Sequence, residues 1–147
     1  MAKQAALLDA ANIVRDIIIV ADDIVPNVKI YCEKRFKGTW EESFTDGTRQ
    51  RPAVIGGSYD PVKDVFINEQ PFASWTLDEN NDWQPPVPMP EGDYDTYKRR
   101  AWDEANQRWT AFNQNTNVDY YWDAATSSWT QILYCAVHLS VFYHQIN

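Results

Sequence analysis

Apolar and polar positions recur along this chain in one arrangement. A large apolar residue stands directly before an aspartate, and a second apolar residue follows five or six positions after that aspartate. The instances are Leu8-Asp9…Val14, Tyr59-Asp60…Phe66, Leu77-Asp78…Trp83, Trp102-Asp103…Trp109 and Trp122-Asp123…Trp129. The residues between are mostly small or polar. An aspartate hydrogen-bonds the backbone just ahead of it and so starts a turn. The flanking apolar residues then meet across two strands, where such pairs are worth roughly 0.2–1 kcal/mol each. The pattern predicts a string of small hairpins with Tyr59 and Phe66, Leu77 and Trp83, Trp102 and Trp109, and Trp122 and Trp129 as facing pairs. It points to packing or binding rather than to chemistry.

The rest of the pattern fills in around these hairpins. Residues 5–20 read as a hairpin with its turn at Asp9-Ala10-Ala11-Asn12, and Ile17-Ile18-Ile19-Val20 reads as a strand covered on both faces. One helix is predicted near residues 23–37. Asp22 and Asp23 offer N-cap oxygens, Pro26 fits the first turn, Val28, Tyr31, Cys32, Arg35 and Phe36 have helical spacing, and Gly38 is the stop. Strand signals return at Thr39–Phe44, Asp46-Gly47 is a hairpin turn, and Arg51–Ile55 would be the return strand. The run Pro85-Pro86-Val87-Pro88-Met89-Pro90 is extended polyproline II. It reads as a rigid connector lying on the protein's own tryptophans, with a ligand for an aromatic groove as the alternative.

The tail has its own period. Leu133, Cys135, Val137, Leu139, Val141 and Tyr143 alternate with Tyr134, Ala136, His138, Ser140, Phe142 and His144, giving one wholly apolar face. This predicts a long half-buried strand, with a helix as the alternative. A long apolar strand left uncovered is an aggregation hazard. Pairing with another copy or another protein by strand addition would cover it. The expected fold is therefore α+β, mainly antiparallel β-hairpins with one helix and a long C-terminal strand. The expected divisions are a small α+β domain at 1–68, an aromatic hairpin region at 69–130 and a docking strand at 131–147.

Composition narrows the function. Thirteen basic against 21 acidic residues leave a net charge of −8 over 147 residues, which repels phosphate backbones and argues against nucleic acid. Seven Trp, eight Tyr and six Phe mark a folded chain. No signal sequence is read at the N-terminus, and no apolar run is long enough to span a bilayer. Cys32 and Cys135 fit ordinary thiols of a reducing compartment, and a disulfide between them stays open. His138 and His144 would stand about 20 Å apart on a strand, too far to share a metal. The acidic groups Asp78-Glu79, Glu91-Asp93-Asp95 and Asp103-Glu104 lie in expected turns, where they serve turn geometry. No catalytic set, metal site or cofactor site is expected. The tryptophans read as structural pairs or interface anchors, with sugar stacking as the alternative.

The order Asn12-Ile13-Val14, Gly38-Thr39-Trp40, Ile55-Gly56, Tyr59-Asp60…Asp64-Val65-Phe66-Ile67, Gln70-Pro71-Phe72-Ala73-Ser74-Trp75-Thr76-Leu77-Asp78, Trp83-Gln84-Pro85-Pro86-Val87-Pro88 and Trp102-Asp103 resembles small virion structural proteins of marine bacteriophages, notably cyanophages. The resemblance covers roughly residues 5–110. It implies a part of a virus particle, whose partners are other virion proteins or copies of itself, and an acidic, cysteine-poor chain without a signal suits assembly in the host bacterial cytoplasm. It carries no catalytic residues. The Ile132–Asn147 tail departs from the group. A carbohydrate-binding, adhesin-like module touching host polysaccharide is the alternative function.

Overall fold

The computed structural model describes residues 3–21 and 25–134. The fold is α+β, built mainly from antiparallel hairpins, with one short helix among the described residues. The chain divides into two compact units, Met1–Pro86 and Val87–Asn147.

The first unit is organised by β1 (Lys3–Leu8). It is the central strand of a three-stranded antiparallel sheet, between β2 (Val14–Val20) and β3 (Thr39–Ser43). Ala5 and Ala6 at its centre point to opposite faces, and both are fully buried. Their small side chains let a layer pack closely on each face. On Ala5 sit Val25, Val28, Cys32 and Trp40, with Leu7, Ile18, Val20 and Tyr31 at the margin. On Ala6 sit Leu8, Val14, Ala53, Tyr59 and Phe66. The last two come from a small hairpin of β4 (Ser58–Asp60) and β5 (Val65–Ile67).

Three expectations change here. The helix α1 runs Val28–Arg35, shorter than 23–37, because Asn27 caps it: its side chain accepts from the Ile30 N–H at 2.9 Å. Pro26 therefore precedes the cap. Phe36 is already extended, so the helix ends before Gly38. The strand β2 is not covered on both faces. It is an edge strand, and Ile19 is 62% exposed. Arg51–Ile55 forms no return strand. β3 pairs with β1, Leu7 facing Trp40, and that long-range pairing displaces the local one. Pro52 has no N–H to give a ladder, and the Ala53 N–H goes to Ser43 Oγ at 2.8 Å.

The boundary expected at residue 68 lies instead after Pro86. The hairpin of β6 (Thr76–Leu77) and β7 (Trp83–Gln84) belongs to the first unit because its turn is anchored there. Arg51 binds Asp82 at 2.7 Å, and Asn81 is bound by Lys63 at 2.6 Å while donating to Gln50 at 3.0 Å. Asn81 is buried, and its polar groups have these partners.

The second unit is a four-stranded antiparallel meander of β8 (Tyr97–Asp103), β9 (Arg108–Asn113), β10 (Val118–Asp123) and β11 (Ser128–Gln131). It contains a hairpin that the apolar pattern does not announce, with Phe112 facing Asp119. The last strand ends at Gln131. Ile132, Leu133 and Tyr134 belong to no strand, so the expected long strand does not begin there.

Gly57 shows how tightly the first unit is closed. A Cβ there would lie 2.6 Å from the Ile67 carbonyl oxygen and 3.1 Å from that of Val54, both backbone atoms. Gly57→Ala is expected to cost about 1–3 kcal/mol, the range of overpacked sites, in the denaturant midpoint of the first unit. A cost below that of Ala at exposed Arg15 would contradict this packing.

Candidate functional site

The hairpin turns come in two forms, and sequence spacing separates them. Where the second apolar residue stands five positions after the aspartate, the left-handed residue is third after the aspartate: Asn12 (φ 60°) after Asp9 and Asn81 (φ 58°) after Asp78. Oδ1 then accepts from the second and fourth N–H groups onward, Ala11 and Ile13 or Asn80 and Asp82, at 2.8–2.9 Å. Where it stands six positions after, the left-handed residue is fourth: Asp64, Gln107 and Ser127, with φ of 55°, 48° and 50°. Asp60 and Asp123 then accept from the second and third N–H groups. The unannounced hairpin uses the same device with Asn113, which accepts from Asn115 and Thr116, and Asn117 is left-handed.

These hydrogen bonds favour the ionised carboxylate. The Ile13 N–H holds Asp9 below its ordinary value, the Lys63 N–H does so for Asp60, and the Asp82 N–H for Asp78. For Asp103 the main cause is the Asn106 side chain. A carboxylate held down in this way is a turn device and a poor general acid.

The turns bring the expected pairs into register. Tyr59 faces Phe66, Leu77 faces Trp83, Trp102 faces Trp109 and Trp122 faces Trp129. Ring centroids stand 5.1 Å apart in the first pair, 5.4 Å in Trp102–Trp109 and 5.5 Å in Trp122–Trp129, the last two edge to face. Tyr59, Phe66, Trp102 and Trp109 are buried, while Trp83, Trp122 and Trp129 are half-buried.

In the meander this tryptophan face closes on itself. Tyr97 of β8 stacks on Trp129 of β11 at 4.9 Å and meets Tyr120 at 5.4 Å. In a flat sheet β8 and β11 would be about 14 Å apart, three strand spacings. The contact makes the face concave. A bulge in β8 between Lys98 and Ala101, with Arg99 at φ 52°, supplies the extra twist. Arg100 caps the concavity: it donates to the Pro90 and Gly92 carbonyls and lies over Tyr94 and Trp129. Trp109 Nε1 donates to the Val87 carbonyl at 2.9 Å. The prolyl segment from Val87 onward thus lies on the unit's own tryptophans.

The opposite face of the meander carries a groove of about 470 Å³. Arg99, Arg108, Asp103, Thr110, Phe112, Asp119 and Tyr134 border it. Arg99 lies over the Phe112 ring at 5.4 Å and Arg108 over Tyr121 at 4.1 Å. Tyr134 donates to Asp119 at 2.9 Å, which pushes its own phenol pKa up.

In the first unit a charged cluster centres on Arg49. Arg49 pairs with Asp64 at 2.9 Å and Glu41 at 3.4 Å, and lies over the rings of Tyr59 and Phe44. Tyr59 donates to Asp64. Burial first, and that hydrogen bond second, push its phenol up to about 12. This cluster is fully paired and locks the β4–β5 hairpin to the sheet.

Of the expected docking residues, only Leu133 is described, and it is exposed. Cys135, Val137, Leu139, Val141 and Tyr143 lie outside the described residues. Spacing-based reasoning missed Arg99 and Arg108, since neither stands in the apolar pattern. Among the described residues, no group of three or more metal-ligating side chains converges, and no helix is long and apolar enough to cross a membrane. Compared with known proteins, the chain matches no family model, no curated protein and no solved structure.

Truncating Trp102 to Ala should cost about 3–5 kcal/mol, the range for a buried Trp. Trp122→Ala should cost clearly less, because that ring is half-exposed. Urea unfolding followed by circular dichroism checks the order, and an equal cost at the two sites would refute it.

Two pH effects follow. The unfolded chain binds protons at the turn aspartates before the fold does, so stability is present above an ordinary carboxylate pKa of about 4. It falls as pH drops through the lower folded values. Asp60→Asn should keep the turn, as Asn113 does, and flatten this acid dependence. Tyr59 acts with the opposite sign. Its raised pKa contributes stability that is complete below about pH 10, the unfolded value, and is lost as pH rises towards about 12. Phenolate absorbance should show a tyrosine that titrates towards about pH 12, and that component should be absent in Tyr59→Phe.

Proposed function

We infer that this protein is an accessory structural component of a bacteriophage particle, attached to capsid or tail by strand addition. The observation that carries the reading is the outer edge of β11. Among the described residues, β11 pairs only with β10, and the sequence runs from it into the apolar alternation of residues 133–143. An open edge beside an apolar face is a template for another strand. The internal use of the tryptophans supports this, because paired rings leave backbone edges as the means of attachment. The likeness of roughly residues 5–110 to small phage virion proteins supplies the kind of particle.

Purified particles decide the matter. Mass spectrometry should find the protein at a fixed copy number, and a cryo-electron-microscopy map should place β11 beside a strand of a neighbour. A chain lacking 132–147 should keep the meander's circular dichroism and lose its place in the particle. Full incorporation of that shortened chain, or absence of the intact protein from particles, overturns the reading.

A further inference from the structure

The groove on the outer face of the meander has a donor set that the assembly role does not use. Most arginines with resolved contacts in this chain are committed to fixed acceptors. Arg49 and Arg51 are held by carboxylates and carbonyls, and Arg100 by two carbonyls. Arg99 and Arg108 differ. Arg99 has no ion pair among the described residues, and the contact of Arg108 with Asp103 is long, at 3.5 Å. Each guanidinium lies over an aromatic ring, Arg99 over Phe112 and Arg108 over Tyr121. A ring beneath a guanidinium steadies it through its face and leaves its in-plane N–H donors available. Those donors match the two oxygens of a carboxylate.

The acids of the groove restrict what the arginines can hold. Asp119 and Asp103 line the same space. A phosphate or sulfate with two charges would meet repulsion from both. A group with a single negative charge and neighbouring hydroxyls would not. Its carboxylate would take the guanidinium donors, and a hydroxyl would donate to Asp119, of which Tyr134 occupies one oxygen, Oδ2. The rings are already covered by the arginines, so a sugar would be gripped by its polar edge rather than stacked. At about 470 Å³ the groove is within the range of small-molecule sites. We propose that this groove binds a hexuronic acid residue, a sugar carrying one carboxylate, through Arg99, Arg108 and Asp119. The proposal concerns a different surface from the β11 edge and does not rest on the assembly role.

Isotope-labelled full-length protein titrated with oligogalacturonate tests it, with a neutral galactose oligomer and inorganic phosphate as comparisons. Oligogalacturonate is expected to shift amides of residues 99–103, 108–112 and 119–121 saturably, at concentrations where the other two do not. Arg99→Gln and Arg108→Gln should each weaken binding about tenfold, the loss of one charge-assisted contact of about 1.4 kcal/mol. Arg108→Lys keeps the cation over Tyr121, and so the local packing, but removes the planar fork, and it too should weaken binding. Asp119→Asn should narrow the preference for uronate over phosphate. Arg15→Gln, in the other unit, should change nothing. The proposal is overturned if oligogalacturonate shifts none of these amides, if the neutral oligomer or phosphate shifts them equally, or if folded Arg108→Lys binds as tightly as the parent.

Discussion

The structure depends on a short carboxylate or amide accepting two backbone N–H groups of its own turn. That interaction fixes how many residues a hairpin spends before its second strand starts. A strand shifted by one residue turns every side chain to the other face. The aromatic pair therefore meets only if the turn length is right. Asp9 and Asp78 make the shorter form, and Asp60, Asn113 and Asp123 the longer one; Asp103 makes the longer turn with the Asn106 N–H and the Asn106 side chain as its donors. The position of the left-handed residue moves accordingly, from Asn12 and Asn81 to Asp64, Gln107, Asn117 and Ser127.

The two units use the same hairpins differently. In the first, the Tyr59–Phe66 hairpin is a lid on Ala6, and the Asp78–Asp82 turn is a plug held by Arg51 and Lys63. In the second, hairpins joined in series make a sheet whose curl brings Tyr97 onto Trp129. Concavity on one face implies an opened opposite face. The packed tryptophans, Arg100 and the prolyl segment occupy the first, and Arg99 and Arg108 border the groove on the second. The bulge that helps curl the sheet is also where Arg99 sits, so architecture and groove share one local distortion.

Local signals in the sequence were enough for what depends on local contacts. The facing pairs could be read because each carries an aspartate and two apolar flanks. The β9–β10 hairpin was hidden because Asn113 replaces the aspartate and Phe112 faces the polar Asp119. The pairing of β3 with β1 was hidden for a different reason. Leu7 and Trp40 are far apart in sequence, and nothing between them marks the register. Arg51–Ile55 looked like a strand next to a good turn, but its partner edge was taken. The helix was misplaced at its start because Asp22 and Asp23 are as good cap residues as Asn27, and only the tertiary fit selects one. The groove was illegible until the register was known. With Asp103 opposite Arg108 and Thr110 opposite Tyr121, Arg108 falls diagonal to Tyr121, within reach of its ring. Counting outward from the two tryptophan pairs would have found that neighbour.

An aromatic-rich chain invites the idea that its tryptophans are its working surface. Here the ring contacts point the other way. Trp102 and Trp109 are buried against each other, Trp129 is sandwiched with Tyr97 and Arg100, and Trp83 donates to the Asn68 carbonyl at 2.8 Å. Two small units have little interior, and aromatic pairs are the largest apolar burial that a hairpin can make without one. Rings used in that way cannot also move to meet a partner without loosening the register that the turns impose. Among the described residues, the pairs leave two features unused: the outer edge of β11, which pairs only with β10, and the cations Arg99 and Arg108 over the rings of the outer face. Those two surfaces have different chemistry. An edge reads backbone and tolerates many sequences, whereas a guanidinium fork reads the geometry of an anion.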